Sequence, residues 1–172
     1  MVVRCLALLF AAFGLVLPAR ADLFLPREPG FQLADRLVLR KAERQLTLYR
    51  DGQPLRNYRV SLGLLPTGHK EQEGDFRTPE GRYTLTRRNP ESEFFLSIQI
   101  SYPDAADVAA AARNGVAPGG LIMIHGLPNV MRHTRDRYLA TDWTDGCIAL
   151  SNEDMLEVWL LTRPGLPIEI TP

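Results

Sequence analysis

In this chain of 172 residues, the side chain best suited to covalent chemistry is Cys147. It stands in Thr144-Asp145-Gly146-Cys147, a polar loop that runs directly into the apolar Ile148-Ala149-Leu150. A cysteine at such a junction can be anchored by the core while its sulfur stays within reach of a substrate. The preceding glycine lets a substrate approach the backbone closely, and the N–H groups beside it could face a developing oxyanion. A cysteine nucleophile works as its thiolate, which a nearby imidazole supplies or stabilises. His125 is the candidate, because it ends the apolar run Leu121-Ile122-Met123-Ile124 and precedes Gly126. Such a thiol is expected to carry a lowered pKa and to be alkylated near neutral pH faster than a free cysteine. Each residue also fits a structural reading. Free cysteine is among the most buried residue types, and a histidine at a strand end can be a satisfied core residue.

These residues need a scaffold, and the chain's periodicities outline one. Arg36–Arg40, Gln45–Tyr49 and Asn57–Leu62 alternate between polar and apolar residues, as half-buried strands do. Asp51-Gly52 is a strong hairpin signal. Residues 63–81, rich in Gly, Pro and charge, read as a loop. Alternation returns at Arg82–Thr86 and Phe95–Ile100. Asp104–Arg113 is Ala-rich and opens on acidic residues, which predicts a short helix ended by Asn114-Gly115. The unbroken apolar run 121–124 predicts a fully buried strand, and 127–146 a long polar connection. Ser151 is the cap of a helix over 152–162, with Met155, Leu156, Val158, Trp159 and Leu161 on its apolar side. Pro167–Ile170 reads as a last strand. The pattern predicts one mainly β domain with short helices over residues 36–172, after a lead-in segment at 22–35.

Composition narrows the function. The chain has 20 basic and 20 acidic residues, a formal net charge of zero, whereas nucleic-acid binders show a basic excess. Residues 1–21 read as a signal peptide: Arg4, then the apolar run Cys5–Leu17, then Pro18 and Ala19-Arg20-Ala21, with cleavage expected after Ala21. The run is short for a membrane span, so contact with a membrane is expected only if this segment stays uncleaved. The mature protein is then periplasmic or secreted. Of the two cysteines only Cys147 remains in it, so no internal disulfide can form. A free thiol retained in an oxidising space calls for a use. No metal-ligand spacing and no Gly-rich phosphate loop is present, so no metal and no cofactor are expected.

The segment Ile124-His125-Gly126 followed by Thr144-Asp145-Gly146-Cys147-Ile148 resembles the signature of the L,D-transpeptidase (YkuD-type) family. Upstream, Gly74-Asp75-Phe76-Arg77-Thr78-Pro79-Glu80-Gly81-Arg82-Tyr83 resembles the family's D-x-x-T-P-x-G-x-[FY] element, and the resemblance extends over roughly residues 35–171. It implies a single YkuD-like β-sandwich with the site in a groove under a loop. It implies Cys147 as nucleophile, His125 as general base, the Gly126 carbonyl as the group that orients His125, and Gly146 and Cys147 as oxyanion-hole positions. Thr144 matches the signature's hydroxyl residue. The implied substrates are peptidoglycan stem peptides, with a wall-linked protein as a further acceptor or substrate. The chain departs from the pattern twice: Asp145 stands where most members have a second His, and Ala149 where many have Arg. Thr-Asp-Gly-Cys-Ile-Ala-Leu resembles a YafK-like subgroup, which implies that His125 alone serves as base.

Further candidates surround this pair. Asp145 could hold an amine or guanidinium of the substrate, or be a solvated loop carboxylate. His133 lies among Arg132, Arg135 and Arg137, a cluster able to meet a substrate carboxylate and equally consistent with a solvated loop. Arg77 and Tyr83 belong to the family-like element, where a turn-forming role competes with substrate contact. Three outcomes stay open: acyl transfer to an amine, hydrolysis of cross-links or peptidoglycan–protein links through the same thioester, and a wall-binding domain without catalysis.

Overall fold

Strands come first because the opening residues repeat with period two. In the computed structural model, which describes residues 32–172, β1 (Arg36–Arg40) and β2 (Gln45–Arg50) pair antiparallel. Leu37, Leu39, Leu46 and Leu48 face the core, each at most 1% exposed. Asp51 (φ 51°) and Gly52 (φ 77°) both take the left-handed conformation a two-residue hairpin needs, and lead into β3 (Gln53–Arg59). That strand starts four residues before the expected Asn57. It is an edge strand, almost all exposed, so its residues carry no apolar alternation.

β4 (Gly81–Ser92) is longer than the alternating segment and breaks register twice, between Leu85 and Arg88 and between Asn89 and Ser92. Its first residues pair with β8 (Pro167–Thr171) and its later ones with β5 (Phe95–Ile100). The bulges bend the strand so that it serves both halves of the sheet. β6 (Met123–His125) and β7 (Ile148–Ala149) complete the order β3-β2-β1-β8-β4-β5-β6-β7. Just past β3, Ser61 pairs with Ala149 in both directions (2.8 and 2.9 Å) and Gly63 bridges Thr144. The row of strands therefore curls round and meets itself at β7.

Three helices flank the sheet. α1 (Ala105–Arg113) starts at Asp104 with a reciprocal capping box to Asp107 and ends at Asn114. α2 (Arg135–Ala140) is a turn and a half inside the stretch expected to be irregular; only Tyr138 is buried, so no periodicity announces it. α3 (Asn152–Leu161) is capped by the Ser151 hydroxyl, which accepts from Asp154 N. It buries Met155, Val158 and Leu161, while Leu156 is 44% exposed and lies off the core face. The expected strand 121–124 is displaced: Leu121 is 69% exposed at φ 56°, and pairing begins at Met123. Among the described residues no helix is long and apolar enough to cross a membrane. The expected signal peptide at 1–21 and most of the lead-in at 22–35 lie outside the described residues.

Candidate active site

β5, β6 and β7 position the site through strand parity alone. Ile98, Ile124 and Ile148 are matched in register and none is more than 1% exposed, so they fix one face of these strands to the core. Side chains one residue away point to the other face. These are Ser97, Met123, His125 and Cys147, and all four line one cavity of about 300 Å³. Phe94, Leu121, Trp143, Thr144 and Asp145 form its walls. The structure thus brings the two residues of the expected pair into one space, although 21 residues separate them in sequence.

His125 is buried (5% exposed) between Phe94 and Trp143, whose ring centroids lie 4.7 and 5.6 Å from its own. Its Nδ1 lies 2.7 Å from the Gly126 carbonyl oxygen. A carbonyl can only accept, so Nδ1 carries the proton and Nε2 keeps its lone pair. Burial pushes the His125 pKa down to about 4, against a smaller upward pull from the Gly126 carbonyl. The ring is therefore a neutral base at physiological pH. Gly126 has no room for a side chain: a Cβ there would stand 2.7 Å from Asn152 Oδ1 and 2.9 Å from Phe95 Cβ. Asn152 Oδ1 in turn accepts from Leu127 N (2.8 Å), so the start of α3 fixes the chain just after His125. Asn152 is thus a positioning residue, a role that no local sequence pattern announces.

Cys147 is half-buried and unpaired, and its Sγ lies 3.7 Å from the Leu121 carbonyl, to which the thiol donates. Burial is the main influence on its pKa and raises it; Asp145 adds to the rise, while a backbone contact from Met123 and the charge of Lys70 oppose it. The expected lowered pKa is thus corrected: burial and the Asp145 carboxylate outweigh the contributions of Met123 and Lys70, so the sulfur rests as a thiol.

The loop before Cys147 is shaped by Thr144. Its Oγ1 donates to the Cys147 carbonyl (2.8 Å) and accepts from Gly146 N (3.1 Å). The Gly146 N–H is therefore engaged, which leaves Cys147 N–H as the candidate donor to an oxyanion. Gly146 sits at φ 130°, and a Cβ on it would stand 2.6 Å from the Arg77 carbonyl oxygen. Arg77 thus meets the site through its backbone. Its guanidinium bonds the His69 carbonyl and Glu71 on the far side of the loop. Tyr83 is buried, its hydroxyl 3.1 Å from both the Glu80 carbonyl and Asp107, and it lines no part of the Cys147 cavity. His133 lies beside Tyr138 in a separate, adjoining cavity. Asp145 is exposed on the cavity rim. Ser97 was findable from parity along β5; Trp143, before the Thr-Asp-Gly-Cys segment, carried no such signal.

A curled eight-stranded sheet with three short helices, and with a cysteine and a neutral, carbonyl-oriented histidine in one cavity, defines a mainly β, thiol-bearing domain. The model of the YkuD family, the L,D-transpeptidase catalytic domain, matches residues 34–170, and the chain belongs to that family. YafK of Escherichia coli (strain K12), named as a candidate L,D-transpeptidase, is 28% identical over 146 residues, which are 77% of this chain and 51% of YafK. Among solved structures, Pgp2 from Campylobacter jejuni, a helical cell shape determining protein, superposes with a TM-score of 0.60 at 25% identity, over 81% of this chain and 48% of that one. An L,D-transpeptidase from Mycobacterium smegmatis shares the fold at 16% identity (TM-score 0.53, 81% of this chain and 59% of that one). The chain spans about half the length of YafK and of Pgp2.

Proposed function

We propose that this protein catalyses acyl transfer on peptidoglycan stem peptides, with Cys147 as nucleophile and His125 as base. The observation that carries the reading is the shared cavity: Cys147 and His125 project from one face of paired strands, and His125 has its free nitrogen fixed by the Gly126 carbonyl. Because the thiol pKa is raised and the imidazole is neutral, proton transfer accompanies attack instead of preceding it. His125 Nε2 takes the thiol proton as Sγ adds to the amide carbonyl carbon, and the Cys147 N–H faces the oxyanion. The C–N bond then breaks, the amine leaves with the proton from His125, and a thioester remains. An incoming amine resolves the thioester by transfer. Water resolving it instead makes the protein a hydrolase of wall cross-links or wall–protein links, with the same residues in the same roles. A role in cell shape follows by analogy with Pgp2. Such substrates lie outside the cytoplasm, in keeping with the reading of residues 1–21 as an export signal.

The test is mass spectrometry of defined peptidoglycan fragments incubated with the protein and, in parallel, with Cys147→Ala. Exchanged or cross-linked products that vanish in the variant are the expected result. Cleavage with uptake of water, equally Cys147-dependent, assigns hydrolysis. Fragments left unchanged by both proteins would favour a wall-binding domain without catalysis.

A further inference from the structure

Next to the Cys147 cavity lies a larger one, about 880 Å³, which the chemistry above does not use. The two share Phe94 and Trp143 as a common wall. A row of aromatic contacts runs from one to the other: His125 to Trp143 at 5.6 Å, Trp143 to Tyr138 at 4.9 Å, Tyr138 to His133 at 5.8 Å between centroids. Three cationic or cationisable side chains, Arg132, His133 and Arg137, line the outer part. Among the described residues neither Arg132 nor Arg137 has an ion pair or a side-chain hydrogen bond. Their neighbour Arg135, which does not line the cavity, is paired with Glu153.

Two carboxylates border the same space, and only one is available to offset these charges. Asp142 is held by Arg44 through both oxygens (2.8–3.2 Å) and accepts from Leu62 N, so its charge is already matched. Glu93 is the remaining acidic group in the lining. The cavity thus has an excess of uncommitted guanidinium on an aromatic wall, the usual equipment for carboxylates carried on a peptide. On the catalytic side the exposed charge is the opposite one, Asp145.

We propose that the outer cavity is a carboxylate-reading subsite, in which Arg132 and Arg137 hold the free carboxylates of the stem peptide whose amide lies at Cys147. The inference rests on the proposed function for the identity of its ligand, but its test reads binding, not turnover. Full-length Cys147→Ala is titrated calorimetrically with a stem tetrapeptide bearing free carboxylates and with the same peptide converted to carboxamides. The titrations are repeated on Cys147→Ala carrying Arg132→Gln and Arg137→Gln. Both arginines are exposed, so the substitutions are expected to leave thermal unfolding unchanged.

The acidic peptide is expected to bind at least about tenfold more weakly to the double-Gln protein. The carboxamide peptide is expected to bind both proteins alike, and Lys at both positions to restore part of the loss. Equal affinity of the acidic peptide for both proteins, an equal loss for the carboxamide peptide, or no binding of the acidic peptide at millimolar concentration would each overturn the subsite. Cys147-dependent turnover that ignores both arginines would overturn the subsite and leave the proposed reaction standing. Arginine-dependent binding without any turnover would do the reverse.

Discussion

At the scale of single residues, the site is an uncharged pair. His125 titrates near 4 because it is buried, and Cys147 titrates above the ordinary thiol range because of burial and Asp145. Alkylation of Cys147 by iodoacetamide should therefore be slow at pH 7 and rise with pH past the range where a free cysteine levels off. Asp145→Asn removes one upward influence, so it should speed alkylation several-fold at a fixed pH; an unchanged rate would mean that the carboxylate does not reach the sulfur. The His125 shift also acts on stability. The unfolded imidazole titrates near its ordinary value of 6.5 and the folded one near 4. The folded state thus resists protonation, and its stability is full above the unfolded value and falls as pH drops from there through about 4. The shift corresponds to about 3 kcal/mol. His125→Asn keeps a donor at the Nδ1 position for the Gly126 carbonyl but has no proton to gain. The stability difference between pH 7 and pH 4, measured by urea denaturation, should shrink by about that amount in the variant.

At the scale of elements, the loop that carries Cys147 is built from outside. Lys41, 2% exposed, donates to the carbonyls of Gly68 (2.6 Å) and Thr78 (2.8 Å) and to Glu80 (2.8 Å). Thr78 Oγ1 accepts from Gly63 N, a Cβ on Gly63 would collide with the Phe76 carbonyl, and the Arg77 carbonyl packs where a Gly146 side chain would stand. The family-like 74–83 segment therefore serves the site as a brace. Lys41→Met would leave a carboxylate and two carbonyls without their partner, and should cost about 3–5 kcal/mol in urea denaturation. A loss under 1 kcal/mol would show the brace to be dispensable. Gly146→Ala, strained at φ 130° and blocked by the Arg77 carbonyl, should abolish Cys147-dependent turnover while β1 and β2, remote in sequence, keep their pairing. This brace also shows what the sequence made legible. The hairpin, α1, α3 and the strand before His125 could be read because periodicity, caps and Asp-Gly are local signals. β3, α2 and the start of β6 could not, since an exposed edge strand, a six-residue helix and a left-handed Leu121 leave no periodic trace. The cysteine–histidine pair was expected from the resemblance to the family signature, since residue type alone left both open to a structural reading; the folded chain places both side chains on one cavity. The engaged Gly146 N–H, the raised thiol pKa and the positioning by Asn152 depend on distances that only the folded chain sets.

At the scale of the molecule, the sheet's closure determines whether the site can loosen independently of the fold. The seam consists of Ser61 on Ala149 and Gly63 on Thr144, and Cys147 lies between the two bridges in sequence. Behind the seam, Leu62, Ile148 and Leu150 are at most 1% exposed and belong to the same core as Leu37, Leu85 and Val158. Among the described residues no separate apolar unit sits under the Cys147 loop, so opening the seam exposes the one core that holds all eight strands together. Such a domain should unfold in a single step. The two tryptophans report on different parts of it. Trp143 stands in the wall between the two cavities, and Trp159 lies on α3 with the Arg88 guanidinium 3.7 Å from its ring centroid. Fluorescence-monitored urea unfolding of Trp159→Phe reads the site, and that of Trp143→Phe reads the helix. After each midpoint is referred to the circular dichroism transition of the same variant, the two signals should coincide with the loss of secondary structure. A Trp143 transition at lower urea than its circular dichroism counterpart would mean that the seam parts before the sheet does, and that the Cys147 cavity opens and closes as a unit of its own.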